Sequence, residues 1–474
     1  MPIRALGFLV LVLTGCGPIK ARRDGTVVLA SGADLESMNS VVTSHPLAKQ
    51  VQRYALLTTL VRYDGKLTVE PYLARSWVWS DDHRVLTFSL VTGLRWHDGQ
   101  PTTSRDVVFT LETARDSTTG YPRRTDLAGL LDVVALNDSM VRLRFTEAQE
   151  RVPDVLTDLA VVPWHLLRDV VPSRMRRARW NEHPIGNGPY RFVAHEANRR
   201  WVFEANPAFP RLLGGPPAIQ RLVVAVVDEP TTKLAALVSG ELDLAGIQPA
   251  HAEFVRRDDR LRVVDYPLLF SYAIVFNTRR PPFNELAARR AIGLAIDRLA
   301  IVSGYLFGFG VPASGPLPPE LASGPAVPPL FAPGRGRALL GDRPRRFELL
   351  TVGSGEAAME QMIQQQLARI GVTVTIRQVE LSTFLARVRS GHDFDAAVMG
   401  VSGDLQLGYL RSLAEVAGLT GAAQGPGLVA AFRDSVPATF LYHARGVQGM
   451  NRRLEGVRMD IRGELAGLAN WRLR

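Results

Sequence analysis

The residues best suited to metal binding or acid–base chemistry lie in two short stretches. Residues 391–395 read Gly-His-Asp-Phe-Asp, which brings one imidazole and two carboxylates close together. Residues 97–99 read His-Asp-Gly, a pair that could serve as metal ligands or as a catalytic dyad. Polar residues beside glycine are also typical of tight turns, and an apolar run (396–399) follows the first stretch as a strand would. We therefore interpret both stretches as turns and assign no metal ligand.

Phosphate chemistry is suggested by residues 351–355, Thr-Val-Gly-Ser-Gly, between a predicted strand and a predicted helix. Glycine-rich turns in that position bind anions. However, no Lys-Ser/Thr pair follows and the third glycine is missing, so neither the P-loop nor the dinucleotide-binding pattern is complete. A Gly-x-Ser-x-Gly nucleophile motif is also missing from the sequence. These motifs therefore do not support an enzyme, and we assign no catalytic residue and no cofactor.

The charge of the chain is positive and comes almost entirely from arginine. The 474 residues include 56 Lys and Arg against 46 Asp and Glu, a formal net charge of +10. Arginine clusters at 174–179 and 343–346, but acidic residues are scattered throughout. Nucleic-acid binding needs basic charge concentrated on one face. We expect a solvated surface and no nucleic-acid partner, and attraction to anionic lipid is the functional alternative.

The N-terminal residues indicate where the protein resides. Arg4 is followed by an apolar stretch (5–13) that is too short to span a bilayer, and then by Gly15 and Cys16, the only cysteine. A lone cysteine cannot form an internal disulfide. The stretch resembles the lipobox of bacterial lipoproteins, in which the cysteine is acylated and becomes the mature N-terminus. It predicts a signal peptide at 1–15, lipidation of Cys16 and a tether at 16–26, whereas the alternative is an ordinary secretory signal.

The elements that would position any site alternate between strands and helices. Residues 27–30 predict a first strand, and the apolar spacing from Leu47 to Val61 predicts a helix. A second helix is predicted at 231–239, ended by Gly240, and a third at 286–299. Residues 347–376 read strand, helix, strand, which requires a crossover and predicts parallel pairing. The chain is therefore of the α/β class.

Several motifs carry a resemblance to a known family when they are taken in chain order. They read PYLARSW, GLRWHDGQP, PIGNGPY, SGELD, and an asparagine followed by PPF and RAIGLAIDR, at residues 71–77, 93–101, 184–190, 239–243 and 277–298. In this order they resemble the extracytoplasmic solute-binding proteins of family 5, which serve oligopeptide, dipeptide and nickel ABC importers. Each motif alone is weak, but the ordered set is specific.

The resemblance implies a two-lobed fold like that of type II periplasmic binding proteins, with an extra subdomain in the first lobe and a cleft between the lobes. Lobe 1 would comprise 27–266 and 437–474, with the subdomain at about 50–180, and lobe 2 would comprise 267–436. The implied protein is a monomeric, non-enzymatic lipoprotein facing the periplasm or cell exterior. It would capture a peptide-like solute by lobe closure and deliver it to ABC permease subunits.

The resemblance also implies a ligand site, but the sequence of this chain differs from the family pattern at part of that site. Relatives carry an aromatic-Gly-Asp segment facing the ligand, but valine replaces tryptophan here, and the segment from Asp404 to Pro437 is shorter. The candidate ligand-binding residues are the following: Asp404, Gly403, Ser402, Val401 and Asn39. Asp404 would pair with a cation such as a peptide α-amine, or else cap a helix. Because this lobe is shortened, two alternative functions remain. The chain could be a degenerate binding protein that acts as an envelope sensor or partner protein, or it could bind nickel or another chelate.

The lipobox predicts that Cys16→Ser moves the protein from the membrane fraction to the soluble fraction, because the acylated thiol is lost. Fractionation of cells expressing either form, followed by mass spectrometry of the N-terminus, measures this. A wild-type protein found in the soluble fraction with residues 1–15 still attached would contradict the prediction.

Overall fold

The computed structural model describes residues 24–322, 328–341, 345–390, 392–403, 408–419 and 426–474. Cys16 and Asp404, two residues singled out above, lie outside the described residues. Among the residues described, no helix combines the length and the apolar character that crossing a membrane requires.

The secondary structure is a mixture of strands and mostly short helices. The strands are β1 Thr26–Ser31, β2 Val61–Tyr63, β3 Val69–Pro71, β4 Ala74–Trp79, β5 Val85–Leu90, β6 Leu130–Asn137, β7 Met140–Phe145, β8 Tyr190–Glu196, β9 Arg200–Ala205, β10 Arg221–Val226, β11 Leu244–Gly246, β12 Leu261–Phe276, β13 Gly310–Pro312, β14 Arg345–Val352, β15 Val372–Val379, β16 Ala396–Ser402, β17 Ala438–Asn451, β18 Leu454–Glu455 and β19 Arg472–Leu473. The α-helices are α1 Pro46–Val51, α2 Ser104–Arg115, α3 Val155–Asp158, α4 Trp164–Leu167, α5 Pro230–Ser239, α6 Ala252–Arg256, α7 Leu286–Ala295, α8 Arg298–Tyr305, α9 Pro333–Leu340, α10 Ala358–Ala368, α11 Leu381–Leu385, α12 Gly408–Ala417 and α13 Pro426–Ser435.

The main sheet runs through the whole molecule. Its strands lie in the order β15-β14-β16-β12-β17-β11-β1-β10-β9-β8, and β13 pairs with β17. Strand β1 is parallel to β10 and β11, and β14 is parallel to β15 and β16. The predicted first strand and the parallel strand–helix–strand unit β14-α10-β15 are therefore confirmed, as is the α/β class.

Two long strands carry the chain from one half of this sheet to the other. Strands β12 and β17 pair in one register from Leu261 to Pro267, in a shifted register at Ser271 and Tyr272, and shift again before Ala273. Strand β11 flanks β17 at the Leu261 end, and β16 flanks β12 from Phe270 onward. Irregularities of this kind bend a strand and interrupt its ladder, and we call residues 267–271 the hinge. The lobe boundary after residue 266 stays a prediction.

The larger hydrophobic cores divide in the same way, while a small cluster of Ala252, Phe309 and Val447 joins the halves. One large core draws on residues between Val27 and Leu244 and on the C-terminal residues from Met450 to Trp471. Two others draw on residues between Ala273 and Tyr442. A separate antiparallel sheet, β4-β5-β7-β6, packs into the first core and lies within the predicted subdomain. Each half thus buries its own apolar surface, as the two-lobed fold requires.

Two predicted helices end earlier than the apolar spacing indicates. The helix from Leu47 stops at Leu56, after one π-helical turn, because the Leu56 carbonyl accepts hydrogen bonds from the amides of Asn187 and Gly188 (3.1 and 2.9 Å). A Cβ on Gly186 would lie 2.0 Å from that carbonyl, so this crossing requires glycine. The prediction that Val61 belongs to the helix is wrong, since it begins β2.

The helix predicted at 286–299 is divided into α7 and α8. Asp297 interrupts it, because its carboxylate accepts a hydrogen bond from the Ala300 amide (2.9 Å) and caps α8. Arg298 is partly buried and donates to the carbonyl of Phe440 (2.7 Å). Both side chains therefore bind backbone groups. Helix α5 ends at Gly240 as predicted, with φ of +81°.

Candidate ligand-binding cavity

A cavity of about 750 Å³ opens beside the hinge. Leu269 of the hinge and Gly403, directly after β16, form one side of it. The amide of Gly403 donates to the carbonyl of Leu269 (2.5 Å), which fixes the end of β16 against the hinge. The opposite wall comes from α1 and the turn after it, strands β2 and β3, helix α3, and the C-terminal residues 458–470. The first half of the molecule thus supplies most of the lining, and Leu269 and Gly403 add an edge from the hinge and the second half, where ligands commonly bind.

One buried carboxylate organises the charges of this cavity. Asp158, whose side chain is 12% exposed, contacts Lys49 (3.2 Å), Arg53 (2.5 Å) and Arg123 (3.2 Å). Arg123 also pairs with Asp126 at 2.7 Å. Lys49 and Arg53 lie one helical turn apart at the end of α1, so both reach the same carboxylate. Three cations thus share two carboxylates, and the cluster retains excess positive charge.

The electrostatics of the cluster favour an ionised Asp158. Burial alone would raise the pKa of Asp158, but the charges of Arg53, Lys49 and Arg123 outweigh burial and hold the pKa of this carboxyl well below its usual range. The Nε of Arg53 is buried and lacks a hydrogen-bond partner among the described residues. The cluster is therefore suited to accept one more anionic or hydrogen-bond-accepting group.

The rest of the lining pairs its charges more evenly. Arg62 donates to Glu70 (2.7 Å) and lies over the ring of Tyr72, 4.8 Å from its centroid. Arg462 pairs with Asp460 (2.7 Å) and donates to the carbonyl of Tyr63 (2.6 Å). Aromatic and apolar surface alternates with these ion pairs around the cavity. Such a lining can hold a polar solute that carries charge of both signs.

Gly403 is the one predicted ligand-binding residue that lines the cavity among those described. Val401 is buried in the core of the second half, while Ser402 is exposed, because successive side chains of β16 point to opposite faces. Asp404 follows Gly403 directly but lies outside the described residues. Asn39 is fully buried, donates to Asn181 (2.9 Å) and accepts from the Val41 amide (3.2 Å), so it holds a loop away from the cavity wall.

Of the two stretches with potential metal or acid–base chemistry, 97–99 is a turn, and the described residues 392–395 of the other form an irregular segment before β16. Asp393 pairs with Arg280 (3.1 Å), and Asp395 accepts from the Glu348 amide (2.9 Å) before β16 begins. The ring of His97 contacts the Gly188 carbonyl (3.0 Å), and burial lowers the pKa of His97 to about 4. Among the described residues, no three His, Cys, Asp or Glu side chains are grouped so as to hold a metal ion.

The phosphate-like stretch at 351–355 also has a structural role. The hydroxyl of Thr351 donates to Glu360 (2.7 Å), and helix α10 begins only at Ala358. The turn therefore does not lead directly into a helix N-terminus, which is the feature that would bind an anion.

Sequence reasoning missed the cationic cluster of Lys49, Arg53 and Arg123. Its partner Asp158 lies 105 residues beyond Arg53, so nothing in local spacing joins them. The sequence contained only a weak signal of this cluster. Lys49 and Arg53 are spaced i, i+4 on the predicted helix, of which only the apolar face had been assigned.

The sequence of this chain is similar to those of known solute-binding proteins. Residues 68–409 match the model described as bacterial extracellular solute-binding proteins, family 5. A candidate ABC transporter peptide-binding protein of Brucella ovis is 29% identical over 343 residues, which cover 69% of this chain and 63% of that protein. The chain thus spans less than two thirds of that relative's length. Di/tripeptide-binding protein 2 of Pseudomonas aeruginosa is 28% identical over 386 residues, 74% of this chain and 70% of that protein.

Solved structures share the fold. The substrate-binding protein CtaP from Listeria monocytogenes has a TM-score of 0.82 at 20% identity, covering 94% of this chain and 99% of that one. The oligopeptide-binding protein AppA from Bacillus subtilis, in complex with a nonapeptide, has a TM-score of 0.74 at 21% identity, covering 95% and 99%. NikZ from Campylobacter jejuni, in complex with Ni(L-His), has a TM-score of 0.76 at 20% identity, covering 95% and 100%. With its two-lobed α/β fold and its match to the family model, this chain belongs to family 5 of the bacterial extracellular solute-binding proteins.

Proposed function

We propose that this chain is the solute-binding lipoprotein of an ABC importer and captures a peptide-like solute between its lobes. The observation that carries the proposal is the cavity of about 750 Å³ at the hinge, bounded by both halves of the molecule. The names of the relatives, which include peptide-binding and di/tripeptide-binding proteins, support the same class of solute.

We expect the solute to be captured by rotation of the two halves at the hinge. The two halves are joined in the main sheet by β12 and β17, and the register of this pair shifts between Pro267 and Ser271. Proline lacks an amide donor, so the ladder is already interrupted there. Rotation at this point would bring the end of β16 toward the wall formed by α1 and α3, enclosing a bound solute. A permease would then distinguish the closed form from the open form.

A zwitterionic solute suits the charges of the cavity. The cationic cluster of Lys49, Arg53 and Arg123 would receive a carboxylate, and Asp404, adjacent to Gly403, would receive an amine. Charge-assisted hydrogen bonds in a desolvated site contribute about 1.5–3 kcal/mol each. Ser402, Val401 and Asn39 stay candidates of the proposed site. Ser402 is exposed beside Gly403, whereas Val401 and Asn39 are buried and would act by supporting the backbone next to them.

The cellular setting is also part of the proposal. Cys16 would carry lipid and hold a monomeric protein at the membrane, facing the periplasm or cell exterior, with residues 16–26 as a tether. Permease subunits would be its protein partners. We propose neither an enzymatic reaction nor a nucleic-acid partner.

Native mass spectrometry of protein purified without denaturation tests the proposed class of solute. A co-purifying peptide would support it, whereas a nickel chelate would favour the chelate-binding alternative. A protein that carries no solute and binds no di- or tripeptide in calorimetric titration would favour the degenerate binding protein acting as a sensor or partner.

Asp404→Asn is expected to weaken binding of the co-purifying solute about ten- to a hundred-fold, because one charge-assisted contact worth about 1.5–3 kcal/mol is lost. Calorimetric titration gives the dissociation constants. Asp393→Asn is the matched control, since Asp393 is 58% exposed and pairs with Arg280 at the opposite end of β16. Equal affinities for the wild type and Asp404→Asn would remove Asp404 from the site. A fall in melting temperature without solute in Asp404→Ala, but not in Asp404→Asn, would identify Asp404 as a helix cap, since asparagine caps helices as well as aspartate does.

Asp158→Asn is expected to lower the free energy of unfolding near neutral pH by about 3 kcal/mol, since it leaves three cations crowded around a neutral group. The folded-state pKa of Asp158 is depressed, so its stabilisation is present above the unfolded value of about 3.9 and is lost as pH falls toward the folded value. The wild type and the variant should therefore converge below about pH 4.

Denaturant unfolding across this pH range measures the difference. Glu70→Gln, which removes a partly exposed ion pair with Arg62, should change stability by less than about 1 kcal/mol. A wild-type advantage that stays constant down to the lowest pH would show that the charge of Asp158 is not what stabilises the cluster.

A further inference from the structure

A basic surface segment lies in the first lobe, away from the ligand cavity. Between residues 168 and 183 the chain has five arginines and two acidic residues. Arg174, Arg176, Arg177 and Arg179 are all exposed, on two consecutive 3-10 turns, Pro172–Arg177 and Arg179–Asn181. We call these four arginines, with the neighbouring Leu166 and Val171, the basic face.

The backbone under the basic face is fixed. Leu167 and Met175 are fully buried and Ala178 is 6% exposed, so the segment is held to the core on its inner side. The side-chain amide of Asn181 donates to the carbonyls of Met175 (3.0 Å) and Arg176 (3.1 Å). The arginines are therefore presented by an ordered surface, and a partner would not have to order the backbone on binding.

The charge of this face is not neutralised within the protein. In the part of the chain that the structure describes, no carboxylate lies within ion-pair distance of the four arginines, and Arg176 contacts only the Gly120 carbonyl (3.3 Å). Arginines elsewhere are paired, as Arg199 and Arg200 are with Glu196 and as Arg256 and Arg257 are with Glu253. Four unpaired cations in six residues create a local positive potential that attracts a polyanion.

Apolar side chains accompany the charges. Leu166 is 41% exposed and Val171 is 53% exposed, an unusual position for two aliphatic side chains beside arginine. Trp164, in the same segment, is contacted by the guanidinium groups of Arg105 (5.6 Å) and Arg168 (4.9 Å). Arginine on a polar side together with tryptophan and aliphatic side chains is the composition of surfaces that lie in the headgroup region of a bilayer.

We propose that the basic face binds an anionic lipid surface. The arginines would contact lipid phosphate groups, and Leu166 and Val171 would enter the apolar boundary beneath them. This contact is independent of the proposed solute and of acylation at Cys16, and it would orient the first lobe against the membrane.

Vesicle co-sedimentation of the full-length chain carrying Cys16→Ser tests the proposal without a lipid anchor. The probes are vesicles of phosphatidylcholine alone and of phosphatidylcholine mixed with phosphatidylglycerol. The variant Arg174→Gln, Arg176→Gln, Arg177→Gln, Arg179→Gln should bind the anionic vesicles at least about tenfold more weakly, since each arginine near such a surface contributes measurably. Binding to neutral vesicles, which reports the contribution of the N-terminal apolar stretch, should not change.

A matched control removes the same charge from elsewhere in the first lobe. Arg199→Gln, Arg200→Gln, Arg256→Gln, Arg257→Gln alters four exposed, acid-paired arginines and should leave anionic vesicle binding nearly intact. If both quadruple variants lost the same amount of anionic vesicle binding, the effect would come from net charge alone and the proposal would be overturned. It would also be overturned if neither variant lost binding. Duplex DNA bound as tightly as anionic vesicles, through the same four arginines, would also overturn it. Melting temperatures equal to that of the parent chain confirm that the variants are folded.

Discussion

The pairing of β12 with β17 is the interaction on which the rest of the structure depends. These two strands, of 16 and 14 residues, are the longest in the fold, and they connect a sheet whose ends belong to separate hydrophobic cores. Their ladder is continuous enough to hold the halves together, yet its register shifts next to Pro267. The cavity lies beside the same segment, since Leu269 lines it. In the proposed mechanism a bend there would change the width of the cavity.

A second constraint is the burial of charge on the cavity wall. Asp158 is almost entirely enclosed, and an unpaired carboxylate there would be costly. Lys49, Arg53 and Arg123 compensate its charge, and together they exceed what Asp158 requires. The cluster therefore links α1, the turn after it and α3 on one wall of the cavity. In the proposed function, stability and solute binding would depend on the same residues.

The parts of the fold that sequence could predict are those governed by local rules. Apolar residues predicted the strand around Val27, and Gly240 marked a helix end through its positive φ. The stretch 97–99 was predicted as a turn, and His97 there contacts the Gly188 carbonyl (3.0 Å). The ordered motifs indicated the family and its two-lobed fold.

Long-range contacts set the limits of that reasoning. The helix after Leu47 looked continuous because apolar spacing cannot show that the Leu56 carbonyl accepts hydrogen bonds from Asn187 and Gly188, far along the chain. The burial of Asn39 against Asn181 likewise depends on a partner that local pattern does not reveal. The cationic cluster escaped notice for the same reason, since Asp158 follows its lysine by 109 residues.

If the two lobes close on a solute, the distance between them must become shorter. Cys16 is the only native cysteine, so spin labels can be placed at Asp138→Cys and Glu380→Cys, two exposed positions on opposite sides of the hinge, in a Cys16→Ser chain. Pulsed electron paramagnetic resonance then gives the distance distribution with and without the co-purifying solute. Lobe closure predicts a shorter and narrower distance distribution when the solute is bound. A distribution that stays unchanged at a solute concentration shown by calorimetry to saturate the protein would contradict it.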